Sequence, residues 1–408
     1  MKVLHDRCAG LDVHKNLVVA CVRTVEGKKI NREVRRFSAT TSDLILLLEW
    51  LVSCRCTHVA MEATGVYWKP VWHILEGHVE LVLANAARVR NVPGRKSDVN
   101  DATWIADLLA HGLITASFIP PTPIRELRDL TRTRRQLIRE MVQHTQRVQR
   151  ILEDANIKLD SVISNVMGAS GRRILAAIVA GEDDPDRLAA LGSDLLKCSK
   201  AQLRESLRGR VTVHHRFLLR QHLATIDYLQ ATIDTFDAEI ERLLEPFRGL
   251  VELLTSAPGI AVASAQVVLA EIGVDMSAFP SAAHLRSWTG LCPGQDESAG
   301  KRRSSRLRPG NPWLKPVLFQ CAWAASRAKG TYTQGQFHRL RARLGHKKAV
   351  AAVAASLVTA IYYMLRDGVP YRDLGPEHFS RADRHRVARR LARRIQDLGY
   401  EVTIHQAA

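Results

Sequence analysis

The first hundred residues carry short apolar runs separated by turns. Residues 8–13 and 17–22 flank a tight turn at His14 to Asn16, and Lys29 to Phe37 alternates apolar with charged positions. Three strands are predicted, the third more exposed than the others. Thr40, Thr41 and Ser42 offer N-caps to an apolar helix running through Leu51. A strand over 57–61, a helix over 66–76, a strand over 79–84 and a helix over 98–112 follow. The order β-β-β-α-β-α-β-α predicts an α/β domain over residues 1–118.

From about Leu127 the period changes. Leu127, Leu130, Leu137, Met141, Val148 and Ile151 recur at three-four spacing, with Arg134 and His144 at the imperfect positions. A cleaner heptad runs through Ile226, Leu229, Ile233, Phe236, Ile240, Leu243 and Phe247. Two long coiled-coil helices are expected, pairing with each other or with those of another subunit. They define a region over 119–250 with a helical insertion at about 160–212, broken at Gly168, Gly171, Asp183-Asp184-Pro185 and Gly192. Leu and Met stripes here read as core or seam, and His214-His215 as surface. Thr255 to Ile260 gives helix, Pro-Gly turn, helix, either a helix-hairpin-helix-like element that offers N–H groups to phosphate or a simple packing turn. Trp288 to Gly294 reads as a loop, Leu314 to Ala328 as a helix, and Ala349 to Leu365 as a buried closing helix. A helical C-terminal domain over 251–370 and a tail over 371–408 complete the chain. The tail helix, 381–398, sets Val387, Leu391, Ile395 and Leu398 on one side and arginine on the others.

Charge sharpens this outline. The net charge is +18 over 408 residues, and its placement is uneven. Between Ala299 and Arg366 there are fourteen Lys and Arg and no Asp or Glu, and residues 125–150 are net +5. Those two stretches account for the whole excess. Segregation of this kind is the footprint of a polyanion partner, whereas a surface charged only for solubility mixes both signs. No run reaches the roughly 18 apolar residues of a membrane span, and the N-terminus lacks a signal-peptide layout. A cytoplasmic, nucleoid-associated protein with no membrane partner is expected. Seven cysteines without a CxxC pair read as free thiols.

Four acids stand where they can meet. Asp12 ends the first strand in Gly10-Leu11-Asp12-Val13-His14-Lys15, and Glu62 ends the fourth in Met61-Glu62-Ala63-Thr64-Gly65. Asp98 and Asp101, in Lys96-Ser97-Asp98-Val99-Asn100-Asp101-Ala102, are three apart as a helix begins and share a face. Each alone reads as a surface acid or a cap. Together they match the ribonuclease-H-like layout, and hard oxygen donors in that number suit Mg²⁺ or Mn²⁺. A sugar-kinase or actin-like fold shares the three-strand opening but wants a Gly-rich phosphate loop that His14-Lys15-Asn16 does not supply. In the C-terminal half, Ser298 is followed by Ala299, Gly300 and the cluster Lys301-Arg302-Arg303, then Arg306, Arg308 and Lys315. A hydroxyl beside such a cluster suits attack on a phosphodiester. A flexible basic loop is the plainer reading, and Ser304 and Ser305 are rival hydroxyls.

These motifs resemble the bacterial insertion-sequence-110 transposases. GLDVHK, MEATG and KSDVNDA look like that family's N-terminal DEDD domain. SAPGI, ESAGKRR and GNPWLKPVL look like its C-terminal transposase domain, so the resemblance spans roughly residues 5–365. It implies an RNase H/RuvC-like N-terminal domain and catalytic, metal-holding acids Asp12, Glu62, Asp98 and Asp101. Ser298 is implied as a nucleophile forming a covalent phosphoserine intermediate. It also implies donor and target DNA, a bridge RNA guide, and a dimer or tetramer in which acids and serine come from different subunits. Ser298-Ala299-Gly300 departs from the Ser-Gly of many relatives, and Ser304-Ser305 stands where many carry glycine. Nucleic-acid contacts are expected from Lys301, Arg302, Arg303, Arg306, Arg308 and Lys315, and from Arg128, Arg132, Arg135 and Arg139 on the first long helix. Two other readings are a RuvC-like junction nuclease using water as nucleophile, and a nucleic-acid-binding protein with a degenerate site. The four acids speak against the second of these, and the separate serine-basic segment against the first.

Overall fold

The computed structural model describes residues 3–27, 29–63, 65–84, 98–294, 296–298, 301–304, 306–381 and 384–404; within 98–100, 296–298, 301–304, 380–381 and 384–387 the backbone alone is described. The chain divides into two compact units, 1–119 and 120–408.

Unit 1 is a mixed α/β sheet. Strands β1 (Arg7–Val13), β2 (Leu17–Glu26) and β3 (Lys29–Ser38) are antiparallel, and β4 (His58–Glu62) and β5 (Glu80–Ala84) continue parallel to β1 in the order β3-β2-β1-β4-β5. Helices α1 (Thr41–Ser53) and α2 (Trp68–Leu75) lead into β4 and β5, and α3 (Asp98–Ala110) follows. Parallel neighbours need such crossovers. Alternation assigns the layers. Ala9, Leu11 and Val13 of β1, with Val18, Ala20 and Val22 of β2, pack against Leu44, Leu47 and Leu51 of α1 and Leu75 of α2. The opposite face meets α3: Cys8 and Ala60 pack with Ile105 and Leu109, and Val19 and Cys21 with Ala102 and Ala106. β3 stands at the edge with most residues exposed, and its Arg32, Glu33, Arg35 and Arg36 protect that edge from pairing further.

Unit 2 is helical apart from one short hairpin among its described residues. Helices α4 (Thr122–Asp154) and α9 (Val213–Leu244) pack along their lengths. Arg134 bonds to Asp237, His144 to His222 and Asp154 to His215, so the two run antiparallel. The two imperfect positions of the first seam, Arg134 and His144, are therefore matched by polar partners on the second helix. Along α9 the buried residues are Leu219, Leu223, Ile226, Leu229, Ile233, Ile240 and Leu244. Leu243, at the heptad position, is only half-buried. A 3.6-residue turn drifts against a strict 3.5-residue repeat, which moves burial to the next residue by the end of the helix. His215 differs from its surface reading: it is buried, bonds to Asp154 at 2.8 Å and closes a capping box with Thr212.

Four short helices, α5 (Leu159–Val162), α6 (Ala169–Ala180), α7 (Pro185–Ala190) and α8 (Lys200–Ser206), cover the far end of this pair and share its core. Helices α10 (Arg248–Thr255), α11 (Val262–Ile272) and α12 (Ala282–Trp288) lead to the hairpin β6 (Asp296–Ser298) and β7 (Lys301–Ser304). Helices α13 (Leu314–Ala325), α14 (Tyr332–Leu344), α15 (His346–Asp367), α16 (His378–Arg381) and α17 (Arg384–Gln396) follow. Among the described residues α15 alone is long and apolar enough to cross a membrane, but 56% of its most apolar window is buried inside the protein. Val350, Val353, Leu357, Val358 and Ile361 recur at three-four spacing on its buried side, as in a core helix.

Candidate active site

The acids of unit 1 are positioned by strand register. β1 and β4 are parallel with Leu11 opposite Met61, so Asp12 and Glu62 stand side by side one residue further on. Paired residues on parallel strands project to the same face, here the α3 face that also carries Cys8 and Ala60. The Asp12 side chain is 15% exposed, and its Oδ2 lies 3.0 Å from His14 Nε2. Glu62 is half-buried.

The direction of α3 follows from three contacts. Leu4 N donates to Ala110 O at 2.8 Å, Cys8 Sγ meets Ala106 O at 3.6 Å, and Gly10 lies against Ala102 O. Moving up β1 toward Asp12 therefore means moving down α3 toward its first turn. Asp101, half-buried, and the backbone of Asp98 lie at the sheet end that holds Asp12 and Glu62. The side chain of Asp98 falls outside the described residues, as do Thr64, Lys96 and Ser97 entirely. Among the described residues no three His, Cys, Asp or Glu side chains are grouped as an ion would need. The donor chemistry nonetheless fits a hard divalent cation: Asp12, Glu62 and Asp101 supply only carboxylate oxygens, partly shielded from water.

Asp107 ties α3 to the sheet further along. Its Oδ1 accepts from Nε of Arg23, a wholly buried side chain on β2, and from Nη2 of Arg32 on β3, both at 3.0 Å. Nothing in the sequence pattern marks Arg23, which follows the apolar run 17–22 of β2 beside Thr24. The thiols nearby are quiet: burial pushes Cys8 up to about 11 and Cys56 up to about 12. All seven cysteines are free.

In unit 2 the serine segment is a hairpin. Ser298 pairs with Lys301, Glu297 with Arg302 and Asp296 with Ser304, with an irregularity between Asp296 and Glu297. Ser298 is thus the last paired residue of its strand. Its side chain and those of Lys301, Arg302, Arg303 and Ser304 are outside the described set, and so is Ser305 entirely. Arg306 and Arg308 are exposed just below the hairpin. Lys315 Nζ donates to Arg308 O at 2.6 Å and Pro309 O at 3.3 Å, and partial burial lowers its pKa.

The arginines of α4 divide into two groups. Arg128 donates to Ala270 O at 3.0 Å and Glu271 O at 2.8 Å, and burial pulls its pKa down to about 10. Arg132 grips the Glu271 carboxylate with two bonds of 2.7 and 2.8 Å. Both are held inside the unit, a role their place in a basic run did not suggest. Arg135 gives Nη1 to Trp313 O at 2.6 Å, and Arg139 is exposed with its guanidinium 5.9 Å from the Trp313 ring centre. Glu271 itself was missed; its one signal is a lone acid ending the apolar helix Val262–Ile272. The Pro258-Gly259 turn is a close-packing device. At Gly259, φ is +81° and a Cβ would lie 2.4 Å from Cys321 O on α13.

Comparison with known proteins agrees with these motifs. Residues 9–157 match a family described as "Transposase", the DEDD type of IS110. Residues 251–338 match the "Transposase IS116/IS110/IS902 family". A 145-residue stretch is 37% identical to the "Insertion element IS110 uncharacterized 43.6 kDa protein" of Streptomyces coelicolor, spanning 34% of this chain and 34% of that relative. Two family matches in the expected order, with the acids inside the first and Ser298 inside the second, place this chain in the IS110 family of transposases.

Proposed function

We propose that the protein is a DNA transposase or recombinase that cuts and rejoins strands through a phosphoserine intermediate. The observation that carries the reading is that Asp12 and Glu62 each follow the last paired residues of β1 and β4, Leu11 and Met61, at the sheet end where α3 also begins, within a DEDD-type family. A sheet of order β3-β2-β1-β4-β5 with acids at these places supports an RNase H/RuvC-like domain. Asp12, Glu62, Asp98 and Asp101 would hold Mg²⁺ or Mn²⁺. Such an ion, when bound, screens phosphate charge and favours the alkoxide form of an attacking hydroxyl.

Ser298 supplies the nucleophile. Its Oγ forms a bond to phosphorus while the bond from phosphorus to the leaving strand's oxygen breaks. The hydroxyl proton passes to solvent, and the leaving oxygen ends protonated as a strand hydroxyl. The phosphodiester becomes a phosphoserine diester, so its energy is kept for rejoining to a second strand. Lys301, Arg302, Arg303, Arg306 and Arg308 neutralise the phosphate beside the serine. Arg135, Arg139 and Lys315 continue that basic surface, while Arg128 and Arg132 support it from within. The antiparallel α4 and α9 act as a coiled coil that joins subunits into a dimer or tetramer. Donor and target DNA are the substrates and a bridge RNA the guide, in the bacterial cytoplasm at the nucleoid. The domains are 1–118, 119–250, 251–370 and a basic tail over 371–408.

The test uses full-length protein, element-end DNA, the element's flanking RNA and Mg²⁺. Cleavage with a serine-linked strand supports the reading. Cleavage that leaves only free ends makes the protein a RuvC-like nuclease in which water attacks.

A further inference from the structure

The hairpin that carries Ser298 stands on a built stem. Gly294 N donates to Arg306 O at 2.9 Å, Pro293 bridges Leu307, and Arg308 N reaches Cys292 O at 3.4 Å. The two feet of the stem cross at glycines. Gly290 (φ +74°) and Gly310 (φ +63°) pack so closely that a Cβ on Gly310 would lie 2.3 Å from Thr289 O. Both adopt left-handed backbone in a space no side chain can share.

Immediately after the crossing comes Asn311, whose side chain works in two directions. Its Oδ1 accepts from Trp313 N at 2.8 Å and Leu314 N at 2.9 Å, which starts α13. Its Nδ2 donates to Glu271 Oε2 at 2.7 Å. Glu271 is 1% exposed and also receives both bonds from Arg132, with Arg128 Nε 3.8 Å away. A buried carboxylate held by two guanidinia adds little net stability compared with apolar packing, because desolvation offsets much of the attraction. What it supplies is direction. The guanidinium fork fixes the carboxylate, and the carboxylate fixes the amide at the foot of the stem.

We propose that Glu271, through Asn311, is a positioning residue for the serine hairpin, holding its stem at a set angle to α4 and α11. The inference rests on the serine reading above. Glu271 and the residues that hold it come from three separate segments, α11, α4 and the Gly310-Asn311 turn. They converge on the base of the one hairpin that carries the candidate nucleophile.

The test separates geometry from folding. Asn311→Asp keeps the oxygen that starts α13 but sets an acceptor against Glu271 Oε2. The pair Glu271→Gln with Asn311→Asp exchanges donor and acceptor between the two positions and keeps the net charge, while Arg132 retains an acceptor only through Nε, because its Nη2 then faces the new amide nitrogen. Full-length variants are incubated with element-end DNA, flanking RNA and Mg²⁺. Adduct formation is followed in single turnover at saturating DNA, with DNA affinity and thermal midpoint measured alongside. The single variant is expected to form adduct about 10- to 100-fold more slowly, the range for a displaced reacting group. Its affinity should change less than about twofold, since the proposed phosphate contacts remain. The double variant, which restores the bond between positions 271 and 311 but not that from Arg132 Nη2, should be faster than the single variant and slower than wild type. A wild-type rate in Asn311→Asp overturns the proposal, as does a slowing that follows only the unfolded fraction. No Ser298 adduct in the wild-type protein contradicts the serine reading itself and takes the positioning role with it.

Discussion

Gly10 and Ala102 touch through their backbones: a Cβ on Gly10 would lie 2.2 Å from the carbonyl oxygen of Ala102 and 2.4 Å from Ala106 N. Only glycine lets α3 settle this close to β1, and this closeness carries the start of α3 to the end where Asp12 and Glu62 emerge. Gly10→Ala is expected to destabilise unit 1 by about 3 kcal/mol through overpacking against rigid backbone. It should also abolish cleavage even in the fraction that stays folded. Urea unfolding and cleavage assays on one preparation check both; a stable, active variant would show that α3 need not pack so closely.

The acids are expected to act as ligands more than as fold elements. Asp12→Asn and Glu62→Gln should lower strand cleavage by more than about 100-fold, the upper end for a group one step removed from an ion. Their thermal midpoints should stay within a few degrees of wild type. A chelator should stop wild-type cleavage, with Mg²⁺ or Mn²⁺ restoring it. Activity that survives the chelator would remove the metal from the account.

Two arginines about three turns apart on α4 should behave in opposite ways. Arg139→Ala, at an exposed position, is expected to weaken nucleic-acid binding evenly across sequences and lower the salt-dependence slope by about 1. Arg128→Ala should destabilise the helical unit by about 3 kcal/mol, because it uncovers a buried carboxylate and two carbonyls. Binding titrations over a salt series and thermal melts distinguish them.

The α4–α9 pair carries a pH-dependent seam. His144 Nδ1 and His222 Nδ1 lie 3.1 Å apart, and burial, His144 and Arg147 together lower the His222 pKa from 6.5. A histidine with a depressed folded pKa binds protons less readily in the native state than in the unfolded one. Stability is therefore full above about pH 6.5 and falls as pH drops below it. His222→Gln should flatten that part of the stability curve relative to wild type; an unchanged difference between pH 7.5 and 5.5 would exclude the pair as its source.

Much of the architecture is legible in local pattern. The strands and helices of unit 1 begin and end within a few residues of where apolar alternation sets them, although Thr40, at the N-cap of α1, makes no side-chain capping bond and Thr41 and Ser42 lie inside the helix. Parallel strands and their crossovers leave strong local signals. What stayed hidden depends on distant partners. Gly10 looks like any strand glycine until Ala102 is brought against it, 92 residues later. Glu271, Asn311 and Arg132 are separated in sequence and converge only when α4, α11 and the turn after the stem pack. Basic composition counted Arg128 and Arg132 with the exposed arginines, because charge patterning cannot see a buried carboxylate. Helix α14, over Tyr332–Leu344, went unread because its sequence is largely polar with only Phe337 and Thr333 buried.

The most direct measurement is adduct mapping. Protein, element-end DNA, flanking RNA and Mg²⁺ are incubated, quenched in denaturant, digested and analysed by mass spectrometry for a nucleotide-modified residue. The account predicts modification at Ser298, absent in Ser298→Ala and in Asp12→Asn. DNA cleaved without any protein adduct, or an adduct at Ser304 or Ser305 that survives Ser298→Ala, would contradict it.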